Sequence, residues 1–315
     1  MRPFQANLKS LTLSYASKKR HSSSQGKAMA RTIKLTDQEA LLRQLLLDVS
    51  SYIGTLGEYT EPELRFTGGW VRDKILGSTS NDIDISISSM TGYRFGTLMK
   101  GYLARAESRA KYDEGIVGSL AKIEANPEKS KHLETITTKI LGLDIDLVNL
   151  RKETYAENSR NPSMEFGTPE DDALRRDATV NSLFYNLSTS SVEDYTGRGL
   201  KDMESKVIKT PLAPLQTFKD DPLRVLRSIR FAGRLGYRIA QEDEQAMSDE
   251  TIKEALKVKI TRERVGVEIT KILKGSFVSG LIVIAALTLL SRPRPSYGAM
   301  PDRSPGLVQY NFHES

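Results

Sequence analysis

Two carboxylates, Asp82 and Asp84, sit two residues apart in the apolar run Asn81-Asp-Ile-Asp-Ile-Ser-Ile. On a strand, that spacing points both side chains to the same face. Like charges so close repel, and a cation between them is the ordinary remedy. Just upstream, Leu64-Arg-Phe-Thr-Gly-Gly-Trp-Val-Arg-Asp reads as a strand, a glycine turn and a helix start. Gly68 and Gly69 free the backbone to approach a phosphate, and the following helix presents unpaired N–H groups; Arg72 and Asp73, further along it, join the candidate nucleotide-binding residues. Carboxylates next to a phosphate site suit Mg2+, a hard ion that takes oxygen ligands and shares them with substrate phosphates. The chemistry implied is metal-assisted nucleotidyl transfer.

Three further groups extend this set. Leu141-Gly-Leu-Asp-Ile-Asp-Leu-Val-Asn-Leu-Arg is a strand with carboxylates at 144 and 146 on one face. Either one is a candidate third carboxylate, because two-metal transfer draws ligands from adjacent strands. Arg175-Arg176-Asp177-Ala-Thr-Val-Asn181 is expected to open a helix. There, two guanidiniums against one carboxylate leave charge for a triphosphate, and Asp177 and Asn181 share a face that suits a ribose. In Asp221-Pro-Leu-Arg224-Val-Leu-Arg227-Ser-Ile-Arg230 an acid and three arginines recur every three residues, a slanting row along one side of a helix that Pro222 starts. An Asp/Arg pair can accept from and donate to the Watson–Crick edge of a base without a nucleic-acid template.

The elements that must hold these groups follow from patterning. Leucines at helical spacing over 38–52 predict an amphipathic helix leading into the glycine turn. Short apolar runs alternate with polar connections from 81 to 150, and 107–135 is polar enough to expect a mobile loop. Helices are expected at 169–186, 222–235, 243–256 and 262–273. The fold class is α+β: a mixed-sheet head over 37–210, then an all-α neck over 211–275.

Composition excludes other classes. The 315 residues contain no Cys, which removes disulfide frameworks and cysteine zinc sites, and the three His are scattered. The net charge of +6 is carried by the N-terminus: residues 1–36 hold eight Lys and Arg and no acid, so the rest of the chain is at −2. Any polyanion-binding surface on the body is therefore a local patch. Residues 1–36, basic and Ser-rich, have the composition of a mitochondrial transit peptide or of a disordered basic tail. Met29 offers a second start, giving a cytoplasmic or nuclear form without that segment. Phe277 to Leu290 is uncharged but, at fourteen residues, too short for a membrane span of roughly 20; no stable membrane insertion is expected. A Pro/Gly/Ser-rich tail completes 276–315.

Taken in order, Gly-Gly-x-Val-Arg-Asp with Asp-x-Asp, Arg-Arg-Asp-x-Thr-x-Asn, Asp194-Tyr-Thr-Gly-Arg-Gly-Leu-Lys-Asp202 and Asp-Asp-Pro-Leu-Arg resemble the class II CCA-adding tRNA nucleotidyltransferases. Residues 126–135 and 164–177 resemble their eukaryotic, fungal branch; bacterial-type poly(A) polymerases share most of the set. The resemblance covers about 36–275 and implies a polymerase-beta-like nucleotidyltransferase head. It implies metal binding by Asp82 and Asp84 with Asp146 as the third catalytic carboxylate, and triphosphate contacts from Gly69 and Arg72. It further implies ribose and phosphate contacts from Arg175, Arg176 and Asp177, and an amino-acid template of Asp221 and Arg224 that selects CTP and then ATP, helped by Arg227 and Arg230. Glu263, Arg264 and Glu268 fall on a helix that braces the neck. The partner implied is the tRNA 3′ acceptor end, whose hydroxyl attacks the nucleotide α-phosphate.

Two departures stand out. Asp220-Asp221 replaces the family's usual Glu-Asp, and the match fades near Lys274-Gly275. The family continues there into body and tail domains that hold tRNA, so a C-terminally truncated chain is expected. The alternatives are a poly(A)-type polymerase, or a fragment that binds nucleotide but has little activity on tRNA.

Overall fold

The computed structural model describes residues 32–80, 82–112, 116–118, 121–123, 135–155 and 162–274. The expectations for the N-terminal segment up to 31, for 124–134 and for the apolar run 277–290 lie outside the described residues. No helix among the described residues is long and apolar enough to cross a membrane.

Helix α1 (Asp37–Thr55) starts at a capping box, in which the Thr36 hydroxyl accepts from Glu39 N and the Glu39 carboxylate accepts from Thr36 N. Its leucine stripe, Leu42, Leu45 and Leu46 with Val49 and Ile53, is fully buried. Strand β1 (Leu64–Thr67), helix α2 (Gly69–Ile75) and strand β2 (Asp82–Ile87) come next. Alternation along β2 sends Ile83, Ile85 and Ile87 into the core and leaves Asp82 and Asp84 on the opposite face.

Helices α3 (Gly92–Leu103) and α4 (Ala106–Lys111) lead to β3 (Ala121–Ile123), β4 (Thr135–Ile140) and β5 (Leu143–Asn149). The β4–β5 hairpin turns on Leu141 and Gly142, both at positive φ (55° and 78°), the conformation whose twist matches the flanking strands. Gly92 lets α3 lie directly on β5: a Cβ there would sit 2.2 Å from the Leu147 carbonyl oxygen.

The chain continues through β6 (Arg151–Thr154) and β7 (Ser163–Phe166), a separate two-stranded ribbon. After it come α5 (Pro169–Leu174), β8 (Phe184–Asn186), β9 (Ser191–Glu193), α6 (Gly199–Glu204) and β10 (Val207–Ile208). The main sheet has seven strands in the order β3-β4-β5-β2-β1-β8-β9, and within it only β2 and β5 run parallel.

Five helices complete the described chain: α7 (Pro214–Asp220), α8 (Leu223–Leu235), α9 (Gln241–Met247), α10 (Glu250–Lys259) and α11 (Arg262–Leu273), with the short strand β11 (Arg238–Ile239) between α8 and α9. A second apolar cluster gathers Phe218, Leu226, Ile229, Ile252, Leu256 and Ile272 from these helices. Helix α8 serves both cores, since Phe231 and Ala232 pack into the sheet's cluster.

Three sequence expectations change. The stretch 169–186 is not one helix: α5 stops at Leu174, a 3-10 turn spans Thr179–Asn181, and Phe184–Asn186 pairs with β1 as a strand. The arginines turn back onto α5 at that point, and strand pairing then claims the aromatic residues. Arg175–Asn181 therefore follows a helix end instead of opening a helix. The helix over 243–256 is broken at Ser248–Asp249, where the Asp249 carboxylate caps α10 by accepting from Thr251 N at 2.8 Å. Within the polar stretch 107–135, α4 and β3 are regular structure; α4 is tied to α1 by Lys111 and by Tyr112, whose hydroxyl donates to Asp48 at 2.5 Å.

Candidate active site

Strand register lines up one row of side chains across the sheet. Thr67 on β1 faces Asp84 on β2, Asp84 faces Asp146 on β5, and Asp146 faces Thr137 on β4. Asp82, Asp84 and Asp146 line a cleft of about 810 Å³. Register also separates the two candidates on β5. Asp144 pairs with Lys139, has a half-exposed side chain and is not among the residues that line the cleft. Asp146 lines it and accepts from the Thr137 hydroxyl at 2.6 Å.

No described side chain forms a hydrogen bond or ion pair with the Asp84 carboxylate. Burial pushes its pKa up, Arg176 opposes that, and the like charges of Asp146 and Asp82 push it further up. A half-buried, unpaired carboxylate among other carboxylates suits a hard cation, and the oxygen donor set suits Mg2+. Asp82 and Asp84 are the residues that would hold it, with Asp146 beside Asp84 in the strand register. Among the described residues, no three His, Cys, Asp or Glu converge as a metal cage made of protein alone.

Gly68 stands beside this row with φ 73° and ψ −130°, a backbone state open to glycine. A Cβ here would lie 2.8 Å from Arg176 Nη1 and 3.6 Å from Asp84 Oδ2. Arg176 donates to the Thr67 hydroxyl at 2.7 Å, to the Asn181 carbonyl at 3.1 Å and to Asp172 at 2.8 Å. Arg175 donates to Asp172 and to Glu153 (2.9 Å).

The expectation that the two arginines leave spare charge needs correction. It counted Asp177 and missed Asp172 and Glu153, both nearly inaccessible and both between guanidiniums. Burial opposes the charged form of Asp172, yet Arg176 and Arg175 together hold its pKa below the usual value. Arg151, also on Glu153, is lowered by burial and then by the neighbouring Arg175.

Asp177 and Asn181 do come together, but through a bent connection. Asn181 Nδ2 donates to Asp177 at 3.0 Å, Arg72 donates to the Asn181 side-chain oxygen, and Arg227 of α8 pairs with Asp177 at 2.6 Å. Asp73 closes the loop, accepting from Arg72 at 2.8 Å and from Arg234 of α8 at 3.1 Å. These polar contacts strap α2 to α8. Asp73, expected among the nucleotide-binding residues, is not among those that line the cleft, and it acts here as the strap's anchor. Gly68 also lies outside that lining, while Gly69 and Arg72 belong to it.

Asp221, Arg224, Arg227 and Arg230 all line the cleft. Asp221 itself precedes α8 and accepts from Leu223 N at 3.1 Å. Each arginine has a partner that the sequence did not reveal. Arg224 donates to the Tyr155 hydroxyl at 3.0 Å and lies 3.6 Å from Glu153; Arg230 pairs with Glu268 of α11 at 2.7 Å. Phe231 carries Arg72, Arg227 and Arg230 around its ring, the nearest 4.3 Å from the centroid. The cleft lining holds nine arginines and six carboxylates, and Asp73, Asp172 and Glu268 pair with its arginines from outside that lining. Sequence reasoning missed Asp172, Glu153, Tyr155 and Phe231. The one local signal was Asp172 three and four residues before the arginine pair, a helical ion-pair spacing.

A mixed sheet that carries a carboxylate row beside a glycine turn defines the nucleotidyltransferase class of head. Residues 64–209 match the family model described as the poly(A) polymerase head domain. A nucleotidyltransferase of Purpureocillium lilacinum is 55% identical over 252 residues, 79% of this chain and 42% of the relative. The mitochondrial CCA tRNA nucleotidyltransferase of Candida glabrata is 52% identical over 249 residues, 78% of this chain and 46% of the relative. A solved CCA-adding enzyme in complex with CTP shares the fold at 24% identity with a TM-score of 0.61, over 81% of this chain and 51% of that one. The chain belongs to the class II CCA-adding tRNA nucleotidyltransferase family. It spans about half the length of the curated relatives it matches.

Proposed function

We propose that this protein adds CCA to the 3′ ends of tRNA, transferring nucleotides from CTP and ATP without a nucleic-acid template. The observation that carries the reading is the cleft itself. It is lined both by the Asp82, Asp84 and Asp146 row and by Asp221, Arg224, Arg227 and Arg230 of the α8 region. A carboxylate row handles phosphates and an Asp/Arg row handles a base, so one nucleoside triphosphate can satisfy both.

Gly68 and Gly69 let the triphosphate approach the backbone, and Arg72 and Arg176 face its oxygens. Arg175, held by Asp172 and Glu153, shares Asp172 with Arg176. Asp177 and Asn181 present the ribose contact. Asp221 accepts from the exocyclic amine that cytosine and adenine share, and Arg224 donates to the ring acceptor beside it. Asp82 and Asp84 would hold Mg2+, which would supply charge stabilisation to the phosphates and lower the pKa of the attacking 3′-hydroxyl. No histidine is required as a base.

The catalytic head is assigned to 37–210 and the nucleotide-selecting neck to 211–275. Mitochondrial targeting by residues 1–36 is supported by their acid-free basic composition and by the mitochondrial designation of the Candida glabrata relative.

The test is incorporation of labelled CTP and ATP with Mg2+, singly and together, into tRNA lacking CCA and into tRNA ending in CC. Two C residues followed by one A is the expected result. A-only extension would replace this reading with poly(A)-type polymerisation. Nucleotide binding without incorporation would replace it with a nucleotide-binding module.

A further inference from the structure

The base-reading arginine is held from outside its own helix. Tyr155 follows β6, on the ribbon that stands apart from the main sheet. Its hydroxyl donates to Glu153 Oε2 at 2.7 Å, which leaves the oxygen to accept from Arg224 Nη2 at 3.0 Å. Its ring also lies 5.7 Å from the Arg224 guanidinium carbon. Glu153 is nearly inaccessible and is itself fixed by Arg175 at 2.9 Å and Arg151 at 3.1 Å. A chain of contacts therefore runs from the arginine pair to Glu153, to Tyr155 and to the arginine of α8.

An arginine has five N–H donors and long, soft torsions. One free to swing can donate to the ring nitrogen and carbonyl of cytosine or turn aside to the carbonyl oxygens of uracil, and so discriminates little. One whose Nη2 is pinned offers its remaining donors along a single direction.

We infer that Tyr155 is a specificity-determining positioning residue: with Glu153 behind it, it fixes the donor direction of Arg224 and so the choice of cytosine over uracil. The inference rests on the proposed base-reading role of Arg224. Tyr155 touches Arg224 rather than the reacting atoms, so it governs selection more than transfer.

The experiment compares wild type, Tyr155→Phe, Arg224→Ala and the double variant. Affinities for CTP and UTP are measured calorimetrically with Mg2+, and CTP incorporation into tRNA lacking CCA is followed in parallel. Tyr155→Phe keeps the ring and loses only the hydroxyl. It is expected to cut the CTP-over-UTP preference by about tenfold, the loss of one hydrogen bond to a charged group, while kcat stays within about twofold. Added to Arg224→Ala it is expected to change nothing further, because its effect passes through that arginine.

If wild type prefers CTP and Tyr155→Phe keeps that preference, the positioning role is overturned while the base-reading role stands. If both single losses add in the double variant, Tyr155 acts elsewhere and the inference is again overturned. If wild type does not distinguish CTP from UTP, the base-reading role falls and the inference falls with it.

Discussion

Asp84 on β2 and Asp146 on β5 face each other across the one parallel pairing in the main sheet. Parallel neighbours need a long crossover, so residues far apart in sequence meet at a level set by register alone. The pairing sets two carboxylates side by side and leaves Asp84 half-buried among like charges.

That repulsion has a measurable stability signature. The Asp84 pKa in the folded protein lies above the ordinary Asp value of 3.8. The folded state therefore binds its proton more tightly than the unfolded state. Stability falls as pH rises from the ordinary value through the raised one, and stays reduced at neutral pH. Asp84→Asn is expected to melt roughly 2 °C or more above wild type at pH 7 without divalent ions, and to be inactive. Added Mg2+ is expected to raise the melting temperature of wild type and leave Asp84→Asn unchanged. Calorimetric scans with and without the ion decide both points.

Asp172 carries the opposite sign. Despite its burial, Arg176 and Arg175 hold its pKa below 3.8, and Arg227 and Asn181 do the same for buried Asp177. Their stabilisation is present above the ordinary Asp value and is lost as pH falls through the lowered folded values. Acid unfolding below about pH 4 is expected to be steeper in wild type than in Asp172→Asn.

Asp172→Ala leaves two guanidiniums facing each other without their shared carboxylate. A loss of roughly 3–5 kcal/mol is expected, the cost of breaking a buried pair from one side. A urea midpoint within about 0.3 M of wild type would show that the arginines find other partners.

Gly68→Ala tests the glycine turn separately from the carboxylates. The substitution strains a backbone at φ 73° and drives a methyl group against Arg176. About 1–3 kcal/mol of destabilisation is expected, with nucleotide triphosphate affinity falling more than tenfold as Arg176 is displaced. Calorimetric titration with CTP is the readout. Unchanged affinity would mean that Arg176 does not contact phosphate.

Arg224→Ala is expected to blur discrimination among CTP, ATP and UTP more than it slows transfer. Competition between labelled nucleotides measures this. Selectivity preserved alongside a collapsed rate would move Arg224 from base reading to chemistry.

The parts of the site that depend on short spacing were determined by the sequence alone. Period-two alternation fixes Asp82 and Asp84 to one face of their strand. The Gly-Gly pair marks the turn that precedes α2, and steps of three put Arg224, Arg227 and Arg230 on one side of α8. These relations need nothing beyond the backbone repeat. Tertiary structure decided what no repeat encodes. Asp144 and Asp146 have identical local patterns, and only strand register and the lysine opposite Asp144 separate them. The arginines appeared free because charge counted along the chain does not say which distant carboxylates neutralise it; Asp172, Glu153 and Glu268 do so only once α5, β6 and α11 have packed. Residues 175–186 were misread for the same reason: pairing with β1 and the pull of Asp172 outweigh a local helical pattern.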